Sequence, residues 1–460
     1  MQPAATAMAG ATAAATAAAV HLKPTAMAKV AAAPPAPSLV GDTIVPALRW
    51  CPRPEDLRAG GVSALVMLPQ AIAFAVLAGL PPEMGIYSAV IPVIVASLLG
   101  PSALLLSGPN TAVAVMLGMA LLPLGAPGSH EYLVFASTLT AMVALAQIVA
   151  ALGGVGRLLA LLPRFTSAGL NMGIGLVMLA CQIGPAMGLL ASRETPSFLT
   201  PWVYAQRWAD ANPWAIVVTL AAIVTGLAFE RVRKPWMPSL VAAMLAGALA
   251  GWAMDLWVGM DVVHLERIGH LHLALDVIQW PSFPTDELYV LKQLALSAIS
   301  IALVASLQSV IILQSTKPGA DHRDCRRELL AQAGSNLSAS VCGGFACSGS
   351  FNRTAAHIDA GAITRAAAVM SSLILLALAL LAAPAFASVS RPAIAGTLAL
   401  VGWSMVRSGW RHIAQTRGLP RYAAVGLGLS ALIAGIEAAL MLAMLFTILE
   451  TLLQRSGPAP

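Results

Sequence analysis

The chain has 460 residues, of which 58% are hydrophobic and 10% charged, and its mean hydropathy is +0.81. Soluble domains carry about 25% charged residues, so these values exclude a soluble enzyme and require an all-α polytopic membrane protein. The net charge of +6 follows topology and leaves no basic stripe for nucleic acid. With a cytoplasmic N-terminus and about fourteen spans of roughly 20 apolar residues, only Arg193, Arg207, Arg267, Lys292 and Arg391 of the basic residues fall outside. The rest lie on the cytoplasmic side, as the positive-inside rule requires.

Residues 1–45 are rich in Ala, Thr and Pro without a periodic apolar face, and are expected to form a disordered cytoplasmic tail rather than a cleaved signal. The first span, about 61–80, carries Pro69-Gln70 at its middle, where a proline frees backbone carbonyls that need a partner or a polar cavity. Gln70 and Phe74 share one helical face. A mid-membrane amide is costly unless used, so Gln70 is a site candidate, with an interhelical hydrogen bond as the alternative; for Phe74 the alternative is core packing. After a turn containing Glu83 and a second span comes Ser107-Gly108-Pro109-Asn110-Thr111-Ala112, followed by only about a dozen apolar residues before Pro123. That is too short to cross a bilayer as a helix, so the expectation is an extended approach and a half helix beginning near Asn110, whose N-terminus exposes N–H groups and attracts anions.

Further spans follow to about 258, with 193–212 read as an outside loop. The loop 259–290 is read as extracytoplasmic. Its His264, His270 and His272 lack a carboxylate or Cys at metal-ligand spacing, so no metal site is expected there. The five cysteines show no paired spacing and read as structural thiols.

The second half, 291–454, repeats the plan. A long span carries the amide Gln308, a basic loop and another span follow, and then comes 341–355, VCGGFACSGSFNRTA. Its Ser350, Phe351, Asn352, Arg353 and Thr354 occupy the place that 107–112 holds in the first half, in the third segment. Seven spans per half is an odd number, so the halves 46–258 and 291–454 run oppositely, an inverted repeat with half helices at spans 3 and 10. Transporters of that plan bind their substrate near the midplane. A tail of 455–460 ends on the cytoplasmic side.

Several stretches resemble the sulfate permease (SulP) family of inorganic anion transporters: Met67-Leu68-Pro69-Gln70-Ala71-Ile72-Ala73-Phe74-Ala75 with Gly79-Leu80-Pro81-Pro82 and Gly85-Ile86-Tyr87; Ser107-Gly108-Pro109; Gly156-Arg157; Cys342-Gly343-Gly344-Phe345; and Gly349-Ser350-Phe351-Asn352-Arg353. The resemblance spans about 49–453. It implies a core domain of spans 1–4 and 8–11 that moves like an elevator past a gate domain of spans 5–7 and 12–14. The anion would lie near Gln70, Phe74, Pro109, Asn110, Thr111, Ser350, Phe351, Asn352 and Arg353. The family commonly has an acidic residue on span 8, where this chain has Gln308, and usually a STAS domain after the last span; any role of that domain is expected to be absent or supplied in trans.

Two helix N-termini at roughly +0.5 each and Arg353 suit sulfate, and equally bicarbonate or chloride. Gln308 cannot titrate, leaving Glu83, Asp359 and Glu437 as coupling candidates or interfacial structural residues. The expected partners are a small inorganic anion and the bilayer, with a homodimer left open and no cofactor. The expected location is a bacterial inner membrane. A passive anion channel and a nucleobase permease are the competing readings; the chain carries no HExxH motif or other hydrolytic constellation.

Overall fold

The computed structural model describes residues 53–160, 164–189, 198–232, 239–267, 269, 271, 273, 281, 288–436, 438–443, 445 and 446. The expected tails 1–45 and 455–460, His270, His272 and Glu437 lie outside the described residues.

The described chain is helical apart from two three-residue strands. In a bilayer each backbone group must find its partner within the protein, and helices do this locally. The first half contains α1 (Pro54–Leu77), α2 (Pro82–Leu99), β1 (Ser107–Pro109), α3 (Thr111–Leu121), α4 (His130–Leu152), α5 (Val155–Ala160), α6 (Arg164–Ala186), α7 (Thr200–Gln206), α8 (Pro213–Val232) and α9 (Ser239–Trp257). After the one-turn α10 (Met260–Val263), the second half contains α11 (Leu288–Thr316), α12 (His322–Val341), β2 (Cys347–Gly349), α13 (Phe351–Asp359), α14 (Arg365–Ala387), α15 (Arg391–Gln415) and α16 (Leu419–Ala434). Proline opens α1 and α2, where its missing N–H costs nothing. α1 continues through Pro69. Helix α7 falls in the segment 193–212 that reads as a loop, because seven residues are too few to show a period.

Among the described residues, eight helices are long and apolar enough to cross a membrane. The half helices are short, and α12 is polar: Glu328, Gln332, Ser335 and Asn336 are all buried along it. Glu328, Gln332 and Asn336 recur every four residues and so share one face. Most of its polar atoms are bonded within the protein. Ser335 Oγ donates to the Pro92 carbonyl at 2.9 Å, Asn336 Nδ2 to Gln147 Oε1 at 2.8 Å, and Gln332 Nε2 to both Ser107 Oγ and Glu328 Oε1 at 2.7 Å.

The helices pack as two groups. One is built on α1, α2, α4, α11, α12 and α14 and encloses α3, α13 and the strands; the other joins α6, α8, α9, α15 and α16. Within the second group α6 lies almost backbone to backbone on its neighbours: a Cβ on Gly173 would come within 2.5 Å of Ala431 Cβ, and one on Gly175 within 2.7 Å of the Gly402 carbonyl. Such close approach is how membrane helices associate when their apolar surfaces gain nothing over lipid. These groups correspond in sequence to the expected core and gate.

Candidate functional site

Strands β1 and β2 pair antiparallel, Ser107 opposite Gly349, Gly108 opposite Ser348 and Pro109 opposite Cys347. Each strand feeds a half helix two residues later, α3 of 11 residues and α13 of 9. Because the strands are antiparallel, α3 and α13 depart in opposite directions, and their N-termini are brought together at the crossing. The positive ends of two helix dipoles therefore converge on one region.

Side chains lock the crossing. Asn110 caps α3 by accepting the Ala112 N–H on Oδ1 at 3.0 Å, while its Nδ2 donates to the Gly349 carbonyl at 2.8 Å and to Gln308 Oε1 at 3.0 Å. Ser348 Oγ donates to the same Gln308 oxygen at 3.2 Å, and the Gly349 N–H donates to Ser309 Oγ at 3.0 Å. From the other side the Ser350 N–H donates to the Leu106 carbonyl at 3.2 Å, and the Leu106 N–H to Thr354 Oγ1 at 3.1 Å. On the α12 side, the Cys347 N–H donates to Asn336 Oδ1 at 2.6 Å. Pro109, Asn110, Thr111, Ser350, Phe351 and Gln308 thus meet at one place.

Gln308 and Phe351 line a cleft facing Ser167, Leu170 and Asn171 of α6. Its volume is about 20 Å³, room for roughly one water. The cleft runs along the seam between the two helix groups, so widening it requires them to separate.

Arg353 is 2% exposed, and its Nε, Nη1 and Nη2 make no hydrogen bond within the described residues. Its Nη1 lies 3.0 Å from where a Cβ on Gly108 would stand, and Met67 and Val93 approach the same point. The guanidinium is therefore tucked under β1, and Arg353 is not among the residues lining the cleft. An unpaired polar group in such surroundings is expensive. Of Asn352, only its backbone place in the first turn of α13 is described.

The remaining candidates are spread more widely. Gln70 and Phe74 are buried one turn apart on α1, and Phe74 belongs to the same apolar cluster as Ala112 and Val113. Glu83 opens α2, beyond the end of α1. Asp359 is exposed at the C-terminal end of α13, about 12 Å of helix from its first residue. Neither carboxylate lies at the crossing. Sequence reasoning missed Ser167 and Asn171, which the gate group supplies, and Gln332 and Asn336, which hold the strands. The spacing of 328, 332 and 336 was the available signal for the latter pair.

Residues 54–422 match the family model described as the sulfate permease family. The chain belongs to that family. It is 29% identical over 410 residues to a probable sulfate transporter of Mycobacterium tuberculosis, an alignment that covers 88% of this chain and 71% of that protein. It is also 25% identical over 369 residues to the bicarbonate transporter BicA of a Picosynechococcus strain, covering 76% of this chain and 62% of that protein. Among solved structures, the transmembrane domain of a cyanobacterium bicarbonate transporter BicA superposes with a TM-score of 0.72 at 21% identity, covering 84% of this chain and 96% of that one. The murine Solute Carrier 26 family member A9 anion transporter in the inward-facing state gives 0.76 at 18% identity, covering 91% and 70%. The fold is shared at these identities. As a member of that family the chain is an integral membrane anion transporter and not an enzyme.

Proposed function

We propose that this chain is a secondary active transporter of a small inorganic anion, with sulfate as its main substrate, working by alternating access. The observation that carries the proposal is the pairing of β1 and β2, which brings the starts of two half helices together beside the cleft that Gln308 and Phe351 line. In this reading the anion binds at the crossing, held by the first-turn N–H groups of α3 and α13 and by the nearby charge of Arg353. Spans 1–4 and 8–11 carry it as one body past spans 5–7 and 12–14, and the narrowness of the cleft fits a carrier that must open its seam to admit substrate. The division of the chain into inverted halves, 46–258 and 291–454, belongs to the same proposal. So does the orientation, with both termini cytoplasmic in a bacterial inner membrane.

Gln308 offers a neutral amide where an acidic residue would supply a cation ligand, and its Oε1 is already occupied by Asn110 and Ser348. Uptake is therefore expected to persist without sodium. A bicarbonate substrate is the second reading, favoured by the likeness to BicA. Uptake of radiolabelled sulfate and bicarbonate into proteoliposomes, with and without a sodium gradient, tests both. Saturable sulfate uptake with counterflow is the expected result; uptake of bicarbonate alone replaces the substrate, and unsaturating currents without counterflow overturn the carrier mechanism.

A further inference from the structure

Outside the crossing, a strongly basic cavity lies where the end of α4 and the short α5 meet the first turns of α12. It has a volume of about 590 Å³ and is lined by Arg157, His322, Arg323, Arg326 and Arg327 together with Gly153, Gly154 and Leu152. The cavity exists because α5 lies close on α12: a Cβ on Gly156 would stand 3.3 Å from Cys325 Cβ. Four arginines line it without a carboxylate. None of the four forms an ion pair among the described residues; Arg327 Nε donates to the Leu99 carbonyl at 2.9 Å. Of the nearby carboxylates, Asp321 caps α12 and attracts Arg323 from the helix start, and Asp324 pairs with Lys317. Four like charges facing one cavity repel one another unless an anion lies among them.

A second observation says what kind of anion. Leu145, Val149 and Leu152 of α4 are 61%, 62% and 63% exposed, and their spacing puts them on one face. This apolar stripe ends at Leu152, in the wall of the cavity. Leu330, also in the wall, begins a parallel exposed stripe on α12 that continues at Leu337. Apolar side chains exposed on a spanning helix face acyl chains, so two greasy tracks run from the hydrocarbon region to an arginine-lined mouth at the level of the basic loops.

The geometry points to a binding site for an anionic phospholipid, its phosphate headgroup held by Arg157, Arg323 and Arg326 and its acyl chains lying along the stripes of α4 and α12. Basic recesses of this kind, placed between spanning helices at the headgroup level, select lipids by charge. The site is separate from the crossing and stands whether or not the transported anion is sulfate.

The test uses full-length protein in detergent, with bound lipid counted by native mass spectrometry and stability followed by thermal unfolding. The probes are phosphatidylglycerol, phosphatidylcholine, diacylglycerol and inorganic phosphate. Phosphatidylglycerol is expected to be retained and to raise Tm, and the others are not. The triple variant Arg157→Gln/Arg323→Gln/Arg326→Gln should weaken its retention by roughly 100- to 200-fold, at about 1 kcal/mol per charge, while the corresponding triple Lys variant keeps it. Leu152→Glu should weaken it as well. Retention unchanged in the Gln variant overturns the proposal, as does equal stabilisation by inorganic phosphate, which would make this a soluble-anion site. If the Gln variant fails to fold, the comparison of the four probes on the unmodified protein decides by itself.

Discussion

The two half helices meet at one crossing but begin differently. α3 is closed by its own chain: Asn110 accepts the Ala112 N–H, its amide ties the helix start to Gly349 and Gln308, and every residue from Thr111 to Gly118 is buried and uncharged. α13 begins at Ser350, whose side chain makes no capping bond, and carries Arg353 and His357, both buried. His357 Nδ1 is 2.7 Å from Ser63 Oγ, whereas the guanidinium has no hydrogen-bond partner among the described residues. A capped N-terminus has already spent part of its hydrogen-bonding capacity; an uncapped one has not. In the proposed mechanism the first half therefore supplies a rigid frame, and the second supplies most of the attraction for an anion.

Arg353 is where that contrast should break most visibly. Arg353→Gln is expected to lower anion uptake by roughly 10- to 100-fold, the loss of about 1.5–3 kcal/mol of attraction from a nearby buried charge, while Tm stays level or rises because a buried unpaired cation is gone. Proteoliposome uptake and thermal unfolding of the same preparation check this; a variant that loses stability and keeps uptake would make Arg353 a structural residue. Asn110→Ala should do the opposite, costing about 2–3 kcal/mol of stability through a lost cap and two lost amide bonds, with the fall in uptake following from disorder at the crossing. Unfolding midpoints in a denaturant series measure it.

The glycines of the two strands give a smaller contrast. Gly108 has φ of 137° and has Arg353 Nη1, Met67 and Val93 against its open side, so Gly108→Ala should cost about 1–3 kcal/mol. Gly349→Ala meets Ser309 and Ile312 at 3.1 Å without a positive φ, and should cost less in the same assay. Smallest is Ser350→Ala. With no cap to lose, it should change stability by under about 0.5 kcal/mol, and an appreciable loss would show that Ser350 does close α13.

Much of the crossing was legible in the sequence because breaks in a membrane helix are conspicuous. Glycine, proline and amide residues at 107–112 and 347–354, followed by too few apolar residues to span, leave little besides an extended approach and a short helix. The polar face of α12 was harder to see. Glu328, Gln332 and Asn336 are spaced every four residues, but their partners Ser107 and Gln147 lie some 190 residues or more away in sequence, and only the fold brings them together. The burial of Arg353 under β1 was likewise invisible, since sequence places a residue on a helix without saying which wall its side chain reaches. Asn171 and Ser167 face the cleft from a helix that also carries Thr166 and Gln182, and the sequence does not say which of these polar residues meets the other group.

The β1–β2 pair joins residue 107 to residue 349, and this has a consequence for biogenesis. Contacts so far apart in sequence form late and slow folding. While the ribosome is still making the second half, Asn110 has neither Gly349 nor Gln308 to accept its amide protons, and β1 has no partner strand. The first half must therefore wait in the membrane with its short helix unanchored, and the transporter core becomes whole in a single late closure. Two separately expressed halves should accordingly be degraded when made alone and rescued when made together.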